Sequence, residues 1–331
     1  MSTDLTQLFE SLILPLEQPA GHSLSAVEIP GSDNHRLAKD SNGSPCLLLR
    51  QPLSATPTAP IRLQNLMVSH GVPCVISHRS REEERGTFTI IKCSSADPLL
   101  YPHFLRILSP IVMSLGPAPT PAAIRRAISG LVALFLALTA PARKSIQGLW
   151  AELLLIRNAT NPIEAVASWH HIPQEHVDFV SGSQRVEVKS SSNRRRVHHF
   201  SLIQLTPPGQ ARLVVASLFV ERVGGGLSIR RLFDEIRVML AHNPALLIQF
   251  DAVFYATLGA NWSDAMDECF DLELATTSLH FFDARDIPKI DGLLPIAVSD
   301  VRFNSDMTAV TPLNPAHLRD AGGLFAAIVP L

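Results

Sequence analysis

The segment DFVSGSQRVEVKSS, residues 178–191, restricts what this chain can build more than any other. Two runs of Val and Phe flank a small polar loop, Ser181 to Gln184, which is the composition of a β-hairpin. Strand side chains alternate faces, so Glu187 and Lys189 point one way while Val186 and Val188 point the other. Pairing Val180 with Arg185 then sets Asp178 directly opposite Glu187 and gives Val177, Phe179, Val186 and Val188 the core-facing side. Two carboxylates opposed across a strand pair repel and destabilise the sheet. Two readings follow. The face is solvated, where Asp, Glu and Lys are ordinary, or a hard cation sits between the acids, for which oxygen ligands suit Mg²⁺. On the second reading Lys189 orients a nucleophile and offsets charge on a phosphoryl transition state, a recipe for phosphodiester hydrolysis.

At 331 residues the chain has material for two domains or one large one, and 46% hydrophobic with 18% charged residues is a globular balance. Strand-like CLLLR, PCVIS and FTIIKCSS alternate with turn-rich PGSDNHR and DSNGSP, so residues 1–140 read as a mainly β module closed by helices around HFLRILSPIVMSL and 124–138. Residues 141–225 read as a compact α/β core. It comprises an amphipathic helix in KSIQGLWAELLLIRNA, a second over Ile163–Trp169, the hairpin, a helix-like HFSLIQL, and ARLVVASLFVERV as a central strand apolar on both faces. Residues 226–331 read as a mixed α/β extension packing on the core; GGG at 224–226 reads as a turn, and Ser228 as the cap of helix SIRRLFDEIRVML.

The order ELLLIR, DFV, VEVKSS resembles the PD-(D/E)XK superfamily of restriction-endonuclease-like nucleases. The fuller pattern GLWAELLLIR, ASW, DFVSGSQRVEVKSS and FSLIQL is similar to standalone PD-(D/E)XK proteins of uncharacterised function among bacterial phage-defence genes. The likeness is good over residues 146–222, weaker beyond, and mainly positional before. It implies an α-β-β-β-α-β core with a mixed central sheet. It also implies a Mg²⁺-dependent endonuclease, with Mn²⁺ able to substitute, acting on DNA in antiviral defence. The alternative it leaves is a non-cleaving nucleic-acid-binding or scaffolding subunit beside ATPase or helicase-like partners. Carried over by position, Asp178, Glu187 and Glu152 would be metal ligands and Lys189 the catalytic lysine. Gln204, with Ser201, would be a polar residue near the centre. Val177 stands where the eponymous proline would be, and Ala151 and His170 replace glycines expected in close relatives.

The rest of the sequence narrows partners. A net charge of −2 announces no overall nucleic-acid field, so contact with a phosphate backbone falls to a local patch. Arg194, Arg195 and Arg196, in a loop after the catalytic strand, are the candidates, and Arg230 and Arg231 read mainly as solvated charges. RNA as substrate stays open, as does a homodimer. Cys46, Cys74, Cys93 and Cys269 form no C-x-x-C pair, which suits a reducing cytosol. The acidic N-terminal region does not read as a signal peptide, and Ile128–Ala140 is too short to span a bilayer, so a cytoplasmic protein without membrane contact is expected. His170, His171, His176, His198 and His199 lack zinc-site spacing and read as solvent-facing or hydrogen-bonded. No nucleotide-binding glycine loop and no G-x-S-x-G element occurs.

Overall fold

Turn formers punctuate short apolar runs up to residue 93, and that stretch folds as a sheet. The computed structural model describes residues 5–15, 24–50, 58–76, 84–170, 176–207, 209–292, 295 and 297–330. The chain divides into two compact units, residues 1–140 and 141–331. The first holds α1 (Leu5–Glu10), β1 (Leu24–Ile29), β2 (Ser32–Asp40), β3 (Pro45–Arg50), β4 (Ile61–Arg62), β5 (Leu66–Ile76), β6 (Glu84–Cys93), α2 (Leu100–Leu115) and α3 (Pro121–Ala137). Its strands form one antiparallel sheet in the order β1-β2-β3-β6-β5-β4. The run CLLLR lies on inner strand β3, where Cys46 to Leu49 are buried on both faces. Thr120 caps α3 by accepting from the Ala123 amide, and Pro121 starts the helix without wasting a donor.

The second unit opens with α4 (Ile146–Asn158) and α5 (Pro162–Ser168), then β7 (Phe179–Ser181), β8 (Gln184–Ser191), β9 (Val197–Ser201), β10 (Arg212–Phe219) and β11 (Arg222–Ser228). It continues through α6 (Ile229–Met239), α7 (Pro244–Leu258), α8 (Trp262–Ala265), β12 (Cys269–Phe270), α9 (Leu272–Ser278), β13 (His280–Asp283), β14 (Arg302–Asp306), α10 (Pro315–Asp320) and α11 (Gly323–Ile328). The central sheet runs β13-β10-β8-β7, with β10 parallel to β8 and the outer strands antiparallel to their neighbours. Helices α4 and α11 pack against β8, and α9 against β10. As its apolar composition requires, β10 is an inner strand, buried from Leu213 to Leu218. Edge strand β13 comes from beyond residue 225, so the sheet is completed by the segment read from sequence as an extension.

The β7–β8 hairpin has the register expected from the sequence: Val180 pairs with Arg185 and Phe179 with Val186. Gly182 takes the positive φ, 56°, that opens a two-residue turn. Three local readings differ. Val177 is buried beside Val180, Leu213 and Val215 rather than on the Phe179 side, because the backbone leaves strand geometry before β7. HFSLIQL is not helical: β9 ends in it, paired with β14, and residues 202–205 turn. The three glycines lie within β11, since Gly226 passes so close to β12 that no side chain fits. A Cβ on Gly226 would sit 2.3 Å from the Phe270 carbonyl oxygen. Gly226→Ala should therefore cost about 1–3 kcal/mol, and Gly224→Ala, which meets nothing within 4 Å, much less; thermal unfolding of the two variants checks this. Among the described residues no helix is long and apolar enough to cross a membrane.

Candidate metal centre

Helix α4 starts at Ser145, whose hydroxyl accepts from the Gly148 amide, and is buried from Leu149 to Ile156. Glu152 falls inside that apolar stretch and is only 2% exposed. A buried carboxylate needs partners. Its Oε1 accepts from Lys144 Nζ at 2.6 Å, and its Oε2 accepts from Trp169 Nε1 at 2.7 Å and lies 3.0 Å from His170 Nε2. Burial would raise its pKa, but Lys144 and His170 outweigh that and hold it down at about 2.

Asp178 enters from the chain just before β7. Its Oδ2 accepts from the Val188 amide at 2.7 Å, which fixes it on the hairpin, and its Oδ1 accepts from Lys144. His170 follows α5 and donates its backbone amide to the Asp178 carbonyl at 2.9 Å. Its φ is 44°, a left-handed conformation that explains why a glycine is expected there. The histidine bears that strain and places an imidazole in the cluster. Glu152, His170 and Asp178 each offer a ligand atom within 4.8 Å of the other two.

Glu187 lies on β8 and is 4% exposed. Lys189 Nζ donates to its Oε1 at 2.8 Å and Gln204 Nε2 donates to the same oxygen at 2.9 Å. Its Oε2 is buried with no hydrogen-bond partner. Burial and the Asp178 carboxylate push its pKa up to about 8, against the pull of Lys189 and Lys144. Lys189 also sits 4.8 Å from the Phe200 ring centroid, which steadies its ammonium. Gln204 is itself fixed: Oε1 accepts from the Ser201 amide at 3.0 Å, and Nε2 donates to the His176 carbonyl at 2.9 Å.

Glu152, Asp178, Glu187, Lys189 and Gln204 thus come together, lining one cleft of about 350 Å³ with Lys144 and His170. Three carboxylates and an imidazole, one buried oxygen among them unpaired, form a donor set that fits a divalent cation. Perturbed, oppositely shifted acids in one cleft are the usual mark of a functional site. The sequence alone assigns Lys144 no role and reads His170 only as a solvent-facing or hydrogen-bonded histidine. The lysine lies outside α4, so no helical spacing ties it to Glu152; the missing glycine at 170 was the one signal for the histidine.

The arginine triplet is divided. Arg194 is exposed but forks onto Glu221, with Nε–Oε1 2.6 Å and Nη2–Oε2 3.1 Å. Arg195 is exposed. Arg196 turns inward, donating to Ser217 Oγ at 2.7 Å and the Ser278 carbonyl at 2.5 Å, with Phe219 and Phe282 against its guanidinium. That corrects its reading as a nucleic-acid contact, because its planar group is spent on the fold. Arg230 and Arg231 pair with Asp267 and Glu235. Of the other histidines, His198 is buried against Ser217 Oγ at 2.7 Å, with burial taking its pKa down to about 4. His176 and His199 are exposed, and His171 lies outside the described residues.

No curated protein and no solved structure matches the chain. Residues 6–308 match the family described as "Putative PD-(D/E)XK family member" (DUF4420), a description that points to a nuclease-like protein of mixed α/β fold. With that match running over most of 331 residues, the chain belongs to this PD-(D/E)XK family.

Proposed function

We propose that the protein is a Mg²⁺-dependent endonuclease acting on DNA, with Mn²⁺ able to replace Mg²⁺, and that incoming phage DNA is its target, as the resemblance implies. One observation carries the chemistry: Glu152 from α4, Asp178 from the chain before β7, and Glu187 and Lys189 from β8 line a single cleft in which a buried Glu187 oxygen lacks a partner. Asp178, Glu187 and Glu152, with His170 beside them, would hold the cation. A divalent ion bound there supplies an activated water and charge neutralisation at a phosphoryl group. Lys189, steadied by Glu187 and Phe200, offers a fixed positive charge to a phosphate oxygen as negative charge grows on it. Gln204 keeps Glu187 aimed into the cleft while tied to β9 and the His176 carbonyl.

Cleavage of plasmid, linear DNA and RNA with Mg²⁺, with Mn²⁺ and with chelator tests this, using wild type, Glu187→Ala and Lys189→Ala. Only wild type with a divalent ion should cut; equal activity in all three proteins ends the proposal. A second reading, a non-cleaving subunit of a multi-protein defence complex, is favoured by the arginine triplet, since Arg194 and Arg196 are engaged within the chain. Salt-dependent DNA binding by the isolated chain separates the two. Tight binding with cleavage removes the scaffold, and no binding without added partners supports it.

A further inference from the structure

Lys144 stands where a cation belongs. Its Nζ is 2.6 Å from Glu152 Oε1, 3.2 Å from His170 Nε2, and bonded to Asp178 Oδ1. Those are the three residues whose ligand atoms cluster within 4.8 Å. An ammonium has three N–H donors. Two of them meet carboxylate oxygens and His170 Nε2 lies beside the ammonium, while another carboxylate oxygen in the same cleft, Glu187 Oε2, is left buried without a partner. A divalent ion accepts six or more ligands and can satisfy what the lysine cannot. Lys144 belongs to the segment before α4 rather than to the helix, and its side chain is 32% exposed, so a long flexible stem has an open way out. Ammonium and divalent ion repel strongly at contact distance, which leaves room for one of them at a time.

We propose that Lys144 is a built-in competitor for the divalent cation: its ammonium occupies the seat among Glu152, His170 and Asp178 in the metal-free protein and swings to the open side of the cleft on loading. The lysine keeps mutually repelling acids folded together before metal arrives, and it sets the cation concentration at which the centre fills. This rests on the cation-site reading above and adds a regulating residue to it.

The test is calorimetric titration of Mn²⁺ into chelator-stripped wild type, Lys144→Met and Lys144→Arg. Removing a competitor that holds the seat nine-tenths of the time tightens apparent affinity by about tenfold. Lys144→Met should bind at least that much more tightly, and Lys144→Arg, which keeps the charge, close to wild type. In wild type, saturating Mn²⁺ should raise acetylation of Lys144 severalfold, read by peptide mass spectrometry, while Lys92, ion-paired to Asp40 in the first unit, stays constant. Folded Lys144→Met that binds no more tightly, or Lys144 acetylation that metal does not raise, overturns the proposal. Should Lys144→Met fail to fold, the wild-type acetylation decides alone. Metal binding by wild type with neither effect sinks only the role of Lys144; no binding by any of the proteins sinks the cation site with it.

Discussion

Asp178→Asn is expected to abolish divalent-cation binding and to lower cleavage by about a thousandfold or more, whereas Lys189→Met should lose about a hundred- to a thousandfold in cleavage and still bind the ion. The difference follows from what each side chain holds. Asp178 uses one oxygen on the Val188 amide and turns the other to the cluster of Glu152, His170 and Lys144. An asparagine oxygen can keep the Val188 bond, so the hairpin survives. The group then facing the cluster is a neutral amide, and the centre has lost a carboxylate that the ion cannot do without. Lys189 interacts with Glu187 and the Phe200 ring. Its loss leaves the ligand atoms in place, with Glu187 Oε1 still held by Gln204 Nε2. Calorimetric Mn²⁺ titration run beside the cleavage assay separates the roles. Metal binding retained by Asp178→Asn, or lost in Lys189→Met, would reverse the assignment.

The heart of this site was readable from spacing because it is local. Asp178, Glu187 and Lys189 sit on or beside one hairpin, whose two-residue turn, with glycine at its positive-φ position, fixes the register of β7 on β8, and Asp178 is then tied to that strand through the Val188 amide. Glu152 was legible for a different reason, its place in the family pattern on the helix ahead of the hairpin. What sequence could not supply was the company these groups keep. Lys144 and His170 reach Glu152 from outside α4, and neither approach follows a helical or strand period. The arginine triplet misled because adjacency in a loop says nothing of direction: Arg196 points into Ser217 and Ser278 while Arg195 faces water. HFSLIQL and the three glycines misled through tertiary pairing. β14, about a hundred residues later, makes a strand of the first, and the close approach of β12 makes one of the second.

The metal-free protein should grow more stable as pH falls from about 8 to about 4.5, then less stable as pH falls toward 2. Two buried acids in one cleft give the two limbs. Glu187 is raised from 4.5 to about 8 by burial and by Asp178, so the folded state holds a proton that the unfolded chain releases. Its contribution is complete below 4.5 and is lost as pH rises through 8. Glu152 is lowered from 4.5 to about 2: burial opposes the shift, and Lys144 and His170 prevail. Its contribution is present above 4.5 and is lost as pH falls through 2. Each limb is worth several kcal/mol by the linkage relation, on the order of 5 °C or more in Tm for a unit of this size. Thermal unfolding of the metal-stripped protein across pH 2–9 measures both. Glu187→Gln should flatten the upper limb and melt several degrees above wild type at pH 8.5. Glu152→Gln should melt well below wild type at pH 7, because Lys144 then loses a charged partner in a buried setting. Saturating divalent ion should shrink the upper limb of wild type, since the ion favours the ionised Glu187 carboxylate. A Glu187→Gln protein that melts below wild type at pH 8.5 would mean that this carboxylate stabilises the empty fold, and the case for a cleft strained by its own acids would be lost.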